Sequence, residues 1–134
     1  MRQNRPVIVL QLPERLNLEQ ARTFFQDLSP FLDADRPRLV FDLSEVRQLD
    51  SAGVDMLLRC MEATMKRDGD LKLAAVPARI AVILELTRVD RLFEIFESAS
   101  DAADSFTSFS VNAVTYAPYL APKKPVTDSL GLAS

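Results

Sequence analysis

The tetrapeptide Asp50-Ser51-Ala52-Gly53 is the stretch of this chain whose residue types could do chemistry. A serine hydroxyl beside an aspartate can act as a nucleophile, accept a phosphoryl group, or cap the free backbone N–H groups of a helix start. The nucleophile needs a base. The chain has no histidine and one cysteine, Cys60, so no Ser-His or Cys-His pair can be built and no His/Cys metal cluster can form. Lys66 and Lys72 stand in no motif that would make either of them that base. Asp42 and Glu45 read as solvated loop acids, because nothing around them in sequence separates an acid role from a base role. Cys60 lies among Leu57, Leu58 and Met61 and reads as a buried structural thiol. Neither an enzymatic activity nor a cofactor or metal is expected.

The elements that must hold this tetrapeptide follow from the apolar pattern. Val7 to Leu12 is a β-branched apolar run closed by Pro13, and reads as a strand buried on both faces. Asn17 then precedes Leu18, Ala21, Phe25 and Leu28, one helical face with Asn17 as N-cap, ended by Ser29-Pro30. Phe24 and Phe25 cannot share that face, so one of them is core. Arg38 to Leu43 is a second strand, and Val46 to Leu49 a short extended stretch leading into the tetrapeptide. Val54, Leu57, Leu58, Met61 and Met65 make the apolar stripe of the following helix, with Asp55, Arg59, Glu62 and Lys66 facing away. Asp68-Gly69 ends that helix, and Ser51 near its start is placed to cap it.

Leu71 to Val76 reads as a third strand. Pro77 opens a short helix that is apolar nearly all round and is expected to be well covered. Leu92 to Phe96 reads as an edge strand, and Ser98 to Phe109 as an amphipathic helix capped by Ser98 or Ser100. From Ala113 the prolines Pro118, Pro122 and Pro125 interrupt any periodicity, which predicts one domain over 1–112 and a flexible Pro-rich tail over 113–134. Strand and helix alternate, so the fold class is α/β: a small mixed sheet of about four strands with helices packed mainly on one face.

Composition narrows the partners. At 134 residues one domain can bury its own core without a disulfide or metal. With 48% hydrophobic and 26% charged residues the chain reads as globular, and a net charge of −3 offers no basic field for a nucleic acid backbone. No apolar run nears the roughly 20 residues of a membrane span. Met1 to Pro6 is polar with two arginines, unlike a secretory leader, so a cytoplasmic location is expected.

The segment Asp42-Leu43, then Asp50-Ser51-Ala52-Gly53-Val54, resembles the STAS family, in particular its anti-sigma factor antagonists. A second block, Pro77-Ala78, Leu84-Glu85-Leu86-Thr87, Val89-Asp90-Arg91-Leu92-Phe93 and Ile95-Phe96, is similar to the family's C-terminal half, so the resemblance covers roughly residues 7–110. It implies a single STAS domain that binds an anti-sigma factor with serine kinase activity and so regulates transcription by partner switching. It also implies that the kinase phosphorylates Ser51, that the phosphorylated form lets go, and that a phosphatase resets it. Asn17, Asp50, Ser51, Ala52, Gly53 and Asp55 are the partner-binding residues it suggests, and a homodimer is left open.

The sequence departs from the family pattern at three points. Ala52 stands where Ser or Thr is common, neutral Asn17 stands where an acidic group is usual, and Arg88 stands where Gly is usual, which predicts a different turn there. Two other roles fit a STAS domain: an accessory subunit of a lipid-transport ATP-binding-cassette system, with which Ala52 is compatible, and a scaffold that is not phosphorylated.

Overall fold

A computed structural model describes residues 6–106 and 114–116. Its elements run β1 (Val7–Gln11), β2 (Arg15–Leu16), α1 (Leu18–Leu32), β3 (Arg38–Asp42), β4 (Gln48–Leu49), α2 (Ser51–Lys66), β5 (Asp70–Ala74), α3 (Ala78–Leu86), a 3-10 turn (Val89–Arg91), β6 (Ile95–Phe96), α4 (Ala99–Phe106) and β7 (Val114–Tyr116). Five strands form one sheet in the order β6-β5-β3-β1-β7, and β2 and β4 form a separate ribbon. Every pairing among them is parallel, where a mixed sheet was expected. A helix lies between each pair of successive strands of the five-stranded sheet (α1, α2, α3 and α4 in turn) and carries the chain back to the starting end, which is what a parallel neighbour requires.

Strand alternation divides the core in two. Leu10, Leu39, Phe41, Leu71 and Leu73 face a large cluster built with Phe24 and Leu28 of α1, Leu57 and Cys60 of α2, and Ile80 and Leu84 of α3. Val7, Val9, Val40 and Ala74 face the other way, against Ala102 and Ala103 of α4. Three helices thus lie on one face and α4 alone on the other, as expected. Lys72 points into the α4 side with 6% of its surface exposed. Its Nζ donates to Ser105 Oγ at 2.6 Å, pairs with Glu94 Oε1 at 3.2 Å, and sits 4.1 Å from the Phe106 ring centroid. A buried ammonium is tolerable because those three groups replace its water.

Several expectations are corrected. Pro30 does not end α1; the helix continues to Leu32, whose side chain is buried. Burial of that last turn outweighs the one hydrogen bond the proline cannot make. The core face of α1 is Ala21, Phe24, Leu28 and Leu32, not the stripe through Leu18 and Phe25. Phe24 is the inward ring, meeting Phe41 edge to face at 5.6 Å between centroids. Helix α3 is covered on one side only: Ile80 and Leu84 are buried, while Val82 and Leu86 are exposed. Arg88 takes the left-handed backbone that glycine would favour, at φ 63°. Of the stretch expected to be a tail, Val114–Tyr116 is a strand beside β1; residues 117–134 lie outside the described residues.

Candidate functional site

Two helix starts stand side by side at one end of the molecule. The ribbon that joins them pairs Leu16 with Leu49, so the residue before α1 and the residue before α2 are neighbours. Glu14 O accepts from the backbone N–H groups of Arg47 and Gln48, at 2.8 and 3.1 Å, and Leu16 O accepts from that of Asp50 at 3.5 Å. Leu16 and Leu49 are buried beneath the ribbon, which anchors it to the core.

Each helix is capped by a side chain. Asn17 Oδ1 accepts from Gln20 N at 3.0 Å, as its position predicts. At α2 the cap is Asp50, not Ser51: its Oδ1 accepts from Ala52 N at 3.0 Å and Gly53 N at 3.2 Å. A carboxylate here also meets the positive end of the helix dipole. Ser51 is the first residue of α2, is exposed, and its hydroxyl has no hydrogen-bond partner among the described residues. The free donors that a serine cap would have taken are already taken.

Around Ser51 the surface is hollowed on one side. A cleft of about 760 Å³ runs between α1 and α2, walled by Leu18, Arg22 and Phe25 from α1 and by Ser51, Asp55 and Arg59 from α2, with Asp50 and Ala52 at its end. Asp55 is held to Arg59, Oδ2 to Nε, at 2.7 Å one turn along the same helix. A second depression of about 570 Å³ lies on the other side of Asp50, between Asn17, Arg47, Arg79 and Ile83. Asp50 borders both and forms a ridge between two hollows, with Ser51 on the side of the first.

The structure therefore brings Asn17, Asp50, Ser51, Ala52 and Asp55 to one exposed end. It does not expose Gly53, which is buried and turned toward the chain's own Leu16 rather than toward a partner. The α1 wall of the cleft, Leu18, Arg22 and Phe25, was missed by sequence reasoning. Leu18 and Phe25 belong to the apolar spacing on α1 that was read as core, and Arg22 carried no such signal. Asp42 closes a local turn, its Oδ1 accepting from Ser44 N at 2.9 Å. Glu45 borders neither hollow. Cys60 is buried and burial pushes its thiol up to about 12, so it is inert as a nucleophile, as expected. Among the described residues no helix is long and apolar enough to cross a membrane.

This parallel α/β sheet with three helices on one face and a capped serine ridge defines a class. The family model for the STAS domain matches residues 1–102, and the chain belongs to the STAS family. Domains of this family are in general regulatory or binding modules. No curated protein matches the sequence.

Solved structures share the fold. A candidate anti-sigma factor antagonist of Thermotoga maritima superposes with a TM-score of 0.65 at 24% identity, covering 72% of this chain and 86% of that one. An anti-sigma-factor antagonist (STAS) domain protein of Planctomyces limnophilus gives 0.61 at 22% identity, covering 72% and 87%. The STAS domain of a SulP transporter from Vibrio cholerae gives 0.64 at 16% identity, covering 80% and 85%.

Proposed function

We propose that this protein is an anti-sigma factor antagonist, a regulatory module that docks an anti-sigma factor with serine kinase activity and is released by phosphorylation of Ser51. One observation carries the reading: the Ser51 hydroxyl is exposed at the first position of α2, relieved of capping by Asp50, on the rim of a cleft. A kinase can reach it, and a protein seated in the cleft must cover it.

The charge arithmetic gives the switch. A phosphoryl group adds close to two negative charges. On Ser51 it cannot use the N–H groups of Ala52 and Gly53, because Asp50 holds them. It stands instead beside the Asp50 carboxylate, and Asp55 on the same cleft wall is already paired with Arg59. Covering that unmatched charge with a partner costs several kcal/mol, a loss of affinity of about 100-fold or more. The domain itself need not unfold, since the charge lies on its surface. A phosphatase would restore binding, and the site works in the cytoplasm, where kinase and sigma factor are.

The test is intact mass after incubation with anti-sigma serine kinases and Mg-ATP, followed by co-purification. One phosphate on Ser51, with kinase retained by Ser51→Ala and lost by Ser51→Asp, is the expected result. Retention by Ser51→Asp equal to wild type would overturn the switch. Recovery of a transporter ATPase in place of a kinase would overturn the partner.

A further inference from the structure

The two hollows beside Asp50 have the same makeup, an apolar wall with charges around it. In the first the wall is Leu18 and Phe25, and in the second it includes Ile83. Leu18 is 60% exposed, and Phe25 and Ile83 are half-buried, so both walls are open to an incoming side chain.

The lining charges can be followed one by one. Arg22, Asp50, Asp55 and Arg59 line the first hollow, and Arg47, Asp50 and Arg79 line the second. Arg15, Glu19 and Glu45 are exposed but border neither. Asp55 is held by Arg59 at 2.7 Å, and Arg47 by Glu14 at 3.3 Å. Asp50 is spent on the cap, its Oδ1 accepting from Ala52 N and Gly53 N at the positive end of α2. Arg22 and Arg79 remain, one in each hollow. Both are exposed, and among the described residues neither has an ion-pair partner.

The unanswered charge is therefore positive on both sides of the ridge. A guanidinium offers a planar fork of N–H donors that matches a carboxylate. A basic segment laid across Asp50 would be repelled on both sides at once. An acidic one is matched on both. The apolar walls select a protein segment over a free anion, because only the former brings apolar side chains along with its carboxylates.

We infer that the protein docking here presents an acidic, partly apolar segment that straddles Asp50, with one carboxylate set against Arg22 and another against Arg79. This rests on the reading that a partner covers the Ser51 ridge, and it names the chemistry of what covers it. It also sharpens the switch. A phosphoryl group on Ser51 carries the same sign as the incoming carboxylates, so it repels the segment that the bare ridge attracts.

Selection from a displayed library of random peptides on the immobilised full chain tests this without any kinase. The expected result is enrichment of sequences that combine Asp or Glu with large apolar residues. Titration of an enriched peptide should then show a loss of about 10-fold for Arg22→Glu and for Arg79→Glu, and of about 100-fold for the two together. Arg91→Glu makes the same change of net charge outside both hollows and should bind as wild type does. A thermal midpoint close to wild type shows that each variant is folded. Enrichment of neutral or basic sequences, or no enrichment at all, overturns the proposal. So does an acidic peptide that binds the double variant undiminished, or one that Arg91→Glu weakens as much as Arg22→Glu and Arg79→Glu do. Failure of the selection leaves phosphorylation of Ser51 to be read by intact mass, and absence of phosphate there leaves the peptide result standing, so the two readings fall separately.

Discussion

Gly53 of α2 stands so close to Leu16 of β2 that a Cβ placed on it would lie 2.5 Å from the Leu16 carbonyl oxygen. Leu49 Cδ1 closes the other side at 2.6 Å. This contact seats the first turn of α2 against the ribbon and so sets Asp50 beside Asn17. Gly53→Ala is expected to lose about 1–3 kcal/mol by overpacking, read as a lower urea midpoint at unchanged slope. Because the helix start must shift to make room, capture of the kinase should fall further than the stability loss explains.

Asp50 has two roles that substitution can separate. Asp50→Ala removes the acceptor for Ala52 N and Gly53 N and is expected to cost about 1 kcal/mol. Asp50→Asn keeps the cap at nearly full strength and removes only the charge. Its stability should fall only by the lost helix-dipole contribution, about 0.3–1 kcal/mol, while its phosphorylated form should hold the proposed kinase better than phosphorylated wild type does. Titration of the two phosphorylated proteins against the kinase checks this.

Lys72 ties β5 to α4 through Ser105 and Phe106. Lys72→Ala removes both the buried stem and the ammonium, and is expected to cost about 2–4 kcal/mol. Lys72→Met keeps the stem and leaves Glu94 in water, so it should cost no more than about 1 kcal/mol. Chemical denaturation gives both values, and hydrogen exchange in α4 should rise for the alanine variant first.

Cys60 makes stability depend on alkaline pH. Its thiol is raised from 9.0 to about 12 by burial, so the folded chain holds a proton that the unfolded chain releases. The contribution is fully present below pH 9 and is lost as pH rises toward about 12, by about 1.4 kcal/mol per unit. Cys60→Ala is expected to be less stable at neutral pH through its cavity, yet to lose less between pH 9 and 11 than wild type. Denaturant midpoints across that range test the slope, and a thiol reagent should react with the native protein only as fast as it opens.

Much of this molecule is legible along the chain because its signals are local. The runs read as strands over Val7–Leu12, Arg38–Leu43 and Leu71–Val76 are strands at Val7–Gln11, Arg38–Asp42 and Asp70–Ala74. Asn17 and Ser98 cap the helices that follow, with Ser98 Oγ accepting from Asp101 N at 3.0 Å. Such features depend on residues within one turn or one strand of each other, so the order of types is enough.

The candidate site was legible only in part. Its position at Asp50-Ser51 follows from the motif, but which of the two side chains caps α2 is a matter of backbone geometry, and Asp50 won. Phe24 or Phe25 as the core ring was decided by Phe41 on a distant strand, which left Phe25 to line the cleft. Gly53 packs against Leu16, far back in the chain. Val114–Tyr116 became a strand only because β1 offered it an unpaired edge. Sequence by itself determined the order of the main strands and helices from β1 to α4 and the place of one serine at a helix start. Tertiary structure decided which faces are covered and which hollows flank that serine, because those depend on distances between residues that the chain order separates.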